Sequence, residues 1–132
     1  MKELAILLVE DSDDDRFLIG RALRNLSAKV RVETAEDGAE ALDRLLGAGA
    51  AGKPLPDLVL LDLQMPRLNG LEVLERLRAV ESTRKLPVLV LTASDYPNDV
   101  QRSRELGIAA YLNKLRDLGR LAEIFQSLGF LP

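Results

Sequence analysis

Glu10, Asp11, Asp62, Thr92 and Lys114 could do chemistry together, because each stands where a short apolar run ends. Glu10-Asp11 follows Leu4-Ala5-Ile6-Leu7-Leu8-Val9, and Asp62 follows Leu58-Val59-Leu60-Leu61; Thr92 and Asn113-Lys114 close two later runs. Carboxylates brought together repel and raise one another's pKa. A divalent cation and a lysine resolve that repulsion: Mg²⁺ and Lys114 balance ionised Glu10, Asp11 and Asp62. Oxygen-only donors suit a hard cation. The combination suits phosphoryl transfer, where metal and ammonium stabilise charge on the transferring oxygens. Taken singly, each group is equally an ordinary polar loop residue. Together they are harder to dismiss, since Asp11 and Asp62 abut apolar strands directly.

Composition narrows the chemistry further. The 132 residues include no Cys and no His, which removes Cys–His and Ser–His catalysis and ordinary zinc sites. A net charge of −3 gives no reason to expect nucleic acid or an anionic membrane as partner. The longest apolar runs, six residues, are far below the ~20 that span a bilayer, and no signal peptide precedes them. A Cys-free chain fits a cytoplasmic location. With 47% hydrophobic and 30% charged residues the chain reads as one globular domain over 1–132. Two tyrosines, three phenylalanines and no tryptophan leave the core to Leu, Val, Ile and Ala.

The elements that must position these groups alternate from end to end. Strands are expected at 4–9, 30–35, 57–62, 87–92 and 109–112. Helices are expected at 13–26, 38–47, 70–80, 98–106 and 117–128. The first helix shows an apolar stripe of Phe17, Leu18, Ala22, Leu23 and Leu26 at three- and four-residue spacing. Core packing is expected for Leu18, Leu42, Leu74 and Leu121. Residues 47–56, rich in Gly and ending Pro-Leu-Pro, read as a flexible loop insertion within the domain. Five strands in alternation with helices argue for an α/β, doubly wound, parallel sheet covered on both faces. The C-terminal edge of such a sheet is where ligands bind.

With these motifs assembled, the sequence resembles the CheY-like receiver domain of two-component response regulators over essentially its whole length. The matching motifs are the acidic pair Glu10-Asp11, the run Asp62-Leu63-Gln64-Met65-Pro66 followed by Asn69-Gly70, the pair Thr92-Ala93, and Tyr111 with Lys114. The resemblance implies a flavodoxin-like (βα)₅ sandwich of strand order 2-1-3-4-5, with helices one and five on one face and the other three opposite. It implies that Asp62 accepts a phosphoryl group from a phosphohistidine of a sensor histidine kinase. It implies that Asp11, Asp62 and the Gln64 backbone carbonyl ligate Mg²⁺, with Glu10 acting through water. Lys114 and Thr92 would meet the phosphoryl oxygens, and Thr92 and Tyr111 would form the switch. Self-phosphorylation and slow hydrolysis would be the only catalysis.

One departure stands out. The family usually places proline after the lysine, commonly with a cis bond, and this chain has Leu115. A cis bond before leucine costs ~2.5–4 kcal/mol, so a trans bond and a rerouted loop are expected. The alternative that this departure favours is a degenerate receiver acting as a phosphorylation-independent docking or dimerisation module. The 47–56 segment, Pro56-Asp57-Leu58 and the ending Phe130-Leu131-Pro132 are similar to the stand-alone regulators paired with bacterial phytochrome kinases. Since the sequence ends with its last expected helix, no output domain is expected. A homodimer is expected through helix four, strand five, helix five and the C-terminus. Phe130 and Leu131 either form an exposed apolar tip there or fold back onto the core.

Overall fold

The computed structural model describes residues 3–27 and 29–132. Five parallel strands, β1 (Leu4–Val9), β2 (Val30–Ala35), β3 (Leu58–Leu61), β4 (Val88–Thr92) and β5 (Ala110–Asn113), form one sheet ordered β2-β1-β3-β4-β5. This is the expected flavodoxin-like topology. β3 is apolar throughout because it lies between β1 and β4 with both faces covered; all four of its residues are fully buried.

Among the described residues six α-helices are interleaved with the strands: α1 (Asp13–Arg24), α2 (Gly38–Ala50), α3 (Gly70–Ala79), α4 (Pro97–Glu105), α5 (Lys114–Asp117) and α6 (Leu121–Ser127). Strand residues alternate between two cores. Ile6, Leu8, Leu60 and Leu91 meet Ile19 and Leu23 of α1 and Leu121 and Phe125 of α6. Leu7, Val9, Leu61 and Val90 meet Leu42 and Leu45 of α2 and Val73, Leu74 and Leu77 of α3.

Three expectations need correction. Phe17 and Leu18 are exposed, at 65% and 51%, rather than core residues. The buried face of α1 is set by Ile19 and Leu23, one turn apart, with Ala22 and Leu26 beside them. The helix expected at 38–47 continues to Ala50, so the irregular stretch begins only at residue 51. Gly49 serves close packing there: a Cβ would stand 2.9 Å from the Ser82 Cβ, so α2 can approach that turn only without a side chain. Finally, the single helix expected at 117–128 is three pieces, α5, a 3₁₀ turn at Leu118–Arg120 that contains Gly119, and α6. Glycine's low helix propensity at that position favours the interruption.

The C-terminus takes the second of its two expected courses. Past Gly129, which has a φ of +85°, Phe130 donates its N–H to the Phe125 carbonyl and stacks obliquely on that ring, 5.9 Å between centroids. Phe130 and Leu131 are half-buried against the α1–α6 core. No exposed apolar tip forms.

Candidate functional site

The site grows out of the ends of β1, β3, β4 and β5. Glu10 and Asp62 are held by the sheet ladder itself: the Glu10 N–H donates to Ala35 O and the Asp62 N–H to Val9 O, each at 3.1 Å. Their side chains are 1% and 3% exposed. Ser12 caps α1 by accepting from the Asp15 N–H, which turns the chain sharply after Asp11. Opposite, Asn69 and Glu72 form a capping box at the start of α3. Gly70 then fits directly under the Asp62 strand end. A Cβ at Gly70 would collide with the Asp62 carbonyl and stand 2.6 Å from Leu63 Cα.

Carboxylate oxygens of Glu10, Asp11 and Asp62 lie within 4.8 Å of one another, with Asp11 exposed and the other two buried. This acidic cluster can coordinate a metal ion. Into it reaches Lys114, whose Nζ is 2.6 Å from Glu10 Oε1, 2.9 Å from Asp62 Oδ2 and 2.8 Å from Asp15 Oδ2. Asp62 Oδ1 accepts from the Gln64 N–H at 3.0 Å, and Glu10 Oε2 from the Ser12 N–H at 3.2 Å. Glu10 Oε1 is buried, and the lysine is its only close partner among the described residues.

Burial pushes the Glu10 carboxyl up to about 7; the neighbouring Asp62 charge adds to this, and Lys114 only partly offsets it. Burial alone would lower Lys114, but Asp15, Glu10 and Asp62 outweigh it and hold the ammonium above its ordinary value. Lys114 is therefore cationic throughout the physiological range. The Lys114–Leu115 bond is trans, as expected, and α5 begins at Lys114 itself.

Thr92 is fully buried at the end of β4, and its hydroxyl oxygen accepts from the Ser94 N–H at 3.4 Å. Tyr111 is half-buried against the α2–α3 core and donates its hydroxyl proton to Ser94 O at 2.7 Å. Burial raises the Tyr111 pKa; the Ser94 bond opposes that rise, and Asp99, Asp95 and Asp62 add to it.

The structure brings Glu10, Asp11, Asp62 and Lys114 together, with the Gln64 N–H on Asp62, while Thr92 and Tyr111, on the adjoining strands, meet the backbone of Ser94. The sequence reading missed Asp15, Arg16 and Ser94. Arg16 donates to Glu10 O at 2.9 Å and bridges to Glu36 at 3.1 Å, tying the β1 end to the segment after β2; it also pairs with Asp13. No local spacing could have found the Asp15–Lys114 pair, whose partners are 99 positions apart. The Ser94 hydroxyl bonds Asp99, five residues on, and only that shorter pattern is visible in sequence.

A doubly wound sandwich carrying an acidic cluster around a lysine at the carboxyl edge of its strands is, as a class, a CheY-like phosphoryl receiver. The chain belongs to the response regulator receiver domain family, which matches residues 6–126. It is similar to the probable methanogenesis regulatory protein FilR2 of Methanothrix harundinacea, 40% identical over 121 residues that cover 89% of this chain and 78% of the relative. Response regulator Rcp1 of Synechocystis is 36% identical over 124 residues, covering 93% and 84%. Among solved structures, the manganese-bound form of Rcp1 superposes with a TM-score of 0.80 at 33% identity, over 97% of this chain and 96% of that one. The phosphorylated cyanobacterial phytochrome response regulator RcpA gives 0.80 at 35% identity, over 96% and 91%. The chain is therefore a receiver that accepts a phosphoryl group, and its chemistry is self-modification rather than turnover of a substrate. Among the described residues, no helix is long and apolar enough to cross a membrane.

Proposed function

We propose that Asp62 is the phosphoacceptor and that the donor is a phosphohistidine on a sensor histidine kinase. A carboxylate oxygen of Asp62 attacks phosphorus, the P–N bond breaks, the imidazole leaves with the electron pair, and an acyl phosphate forms. The observation that carries this is Lys114 Nζ at 2.9 Å from Asp62 Oδ2, a permanent cation beside a buried nucleophile. The same contact argues against the degenerate docking module, since leucine after the lysine has not withdrawn the ammonium.

The donor set fits Mg²⁺: three clustered carboxylates from Glu10, Asp11 and Asp62, all hard oxygen ligands, one of them with a buried oxygen whose close partner among the described residues is Lys114. Asp11, Asp62 and the Gln64 carbonyl would hold the ion directly and Glu10 through water. When bound, Mg²⁺ supplies positive charge to the phosphoryl oxygens. Lys114 would accompany the transferred group by keeping one hydrogen bond on an equatorial oxygen. The Thr92 hydroxyl would meet another as it moves from the Ser94 N–H. That movement would open room for Tyr111 and carry the switch.

The likeness to the phytochrome response regulator RcpA supports a phytochrome-type kinase as the partner, and the receiver would act in the cytoplasm. Residues 1–132 would work as one receiver unit. A second copy would dock through α4, β5, the last helices and the C-terminus; with Phe130 folded back, Tyr96, Leu115 and Leu128 are the exposed large apolar groups there among the described residues.

Intact-mass measurement tests the central assignment. Acetyl phosphate with Mg²⁺ should add one acid-labile phosphoryl group to the native chain and none to Asp62→Asn. Equal labelling of that variant would remove Asp62 from the reaction.

A further inference from the structure

The residue before the lysine does more than end a strand. Asn113 is 7% exposed, and its backbone N–H and both ends of its side-chain amide are engaged. Its backbone N–H donates to Asp117 Oδ2 at 2.9 Å. Its Oδ1 accepts from the N–H groups of Leu115 and Arg116, at 2.8 and 3.1 Å, and its Nδ2 donates to Asp95 Oδ2 at 3.2 Å. Two N–H donors on one side and a carboxylate on the other leave a single orientation for the amide.

These contacts do two separate things. The Oδ1 pair is a helix cap, and it starts α5 at Lys114, so it fixes the direction in which the lysine leaves the backbone. The Nδ2 bond crosses to the segment after β4, eighteen residues away in sequence. Leu115 takes part through its N–H, which a proline would lack, while its side chain is 89% exposed and contributes no packing. Asp95 is otherwise approached only by Arg116, 3.8 Å away, among the contacts of the described residues. The lysine's own turn is thus fastened to the neighbouring loop chiefly by one amide.

We propose that Asn113 is a positioning residue for phosphoryl transfer: by capping the turn that starts at Lys114 and fastening it to Asp95, it holds the ammonium where it meets Asp62. The inference rests on Asp62 as acceptor and Lys114 as its partner. A residue that served only the fold would lower stability and leave the rate of the folded protein alone. A positioning residue sets the maximal rate, and its effect follows the polarity of the Asn113–Asp95 bond.

The experiment exploits that polarity. Asn113→Asp keeps the acceptor for both N–H groups but turns a second carboxylate on Asp95. The reversed pair, Asn113→Asp with Asp95→Asn, restores one donor and one acceptor with their places exchanged. Phosphorylation of the folded proteins is followed by intact mass at saturating acetyl phosphate and Mg²⁺. Because small misplacements of catalytic groups are costly, Asn113→Asp should slow the maximal rate on the order of tenfold or more, and the reversed pair should recover most of the loss. A native rate in the single variant, or a reversed pair as slow as the single, overturns the proposal. Should Asn113→Asp fail to fold, Asp95→Ala carries the test: it leaves the cap intact, and a native rate from it overturns the fastening. Labelling of native protein that persists in Asp62→Asn brings down the acceptor reading and this inference together. Labelling lost in Asp62→Asn, with a rate indifferent to Asn113, removes the inference alone.

Discussion

The carboxylates on β1 and β3 and the polar groups on β4 and β5 reach the same corner by different means. Glu10 and Asp62 extend from strands inside the sheet, with their backbones in the hydrogen-bond ladder and apolar neighbours on both faces. Across the site, β5 is an edge strand paired only with β4. Thr92, Tyr111 and Asn113 are paired in the ladder too, but the groups there are further tied by side-chain hydrogen bonds: Tyr111 to Ser94, Ser94 to Asp99, Asn113 to Asp95 and to the α5 backbone. A ladder yields only when a strand moves, whereas one side-chain bond can be exchanged for another at little cost. The carboxylate half of the site is thus held by the sheet, and the half around Tyr111 and Asn113 carries the more exchangeable bonds, as the proposed switch requires.

The contrast can be broken most forcefully from the rigid side. Leu60 is fully buried at the centre of β3, so Leu60→Ala should cost about 2–5 kcal/mol in urea unfolding. A loss below that range would mean the central strands are no better anchored than the edge. A second test uses acid. In metal-free protein Glu10 titrates near 7 when folded and near 4.5 when unfolded, so between those values the folded state binds more protons. The contribution of Glu10 therefore stabilises the fold as pH falls from about 7 toward 4.5, and penalises it as pH rises. Urea midpoints taken in chelator across that window should fall with rising pH more steeply for the native chain than for Glu10→Gln. The smallest effect belongs to the adjustable side. Tyr111→Phe removes one hydrogen bond, to Ser94 O, and should cost ~0.5–1.5 kcal/mol while leaving phosphoryl labelling at the native extent. A larger loss, or lost labelling, would place Tyr111 with the rigid half.

The rigid half was also the legible half. Unbroken apolar runs such as Leu58-Val59-Leu60-Leu61 state both the strand and the carboxylate at its end, because burial on two faces admits no polar residue before the edge. The adjustable half was partly hidden. Thr92, Tyr111 and Lys114 could be named, but Asn113 looked like one more strand-end polar residue, since its partners Asp95 and Asp117 are set by a turn that no periodicity announces. Apolar spacing misassigned Phe17 and Leu18 for a related reason. On a helix three- and four-residue steps describe more than one stripe, and the sheet chose the one through Ile19 and Leu23. The glycines at 47 and 49 read as loop because composition does not distinguish a residue that must bend from one that must be thin.

Gly70 gives the rigid half a mechanical meaning. With only a hydrogen between the α3 backbone and the Asp62 carbonyl, residue 70 puts no side chain of its own into the joint. A displacement at the end of β3 would therefore press directly on the α3 backbone, whereas across the gap the turns on either side of Tyr111 are joined by exchangeable side-chain bonds. Stiffness is distributed unevenly around one carboxylate, and that unevenness determines in which direction a small push at Asp62 can travel.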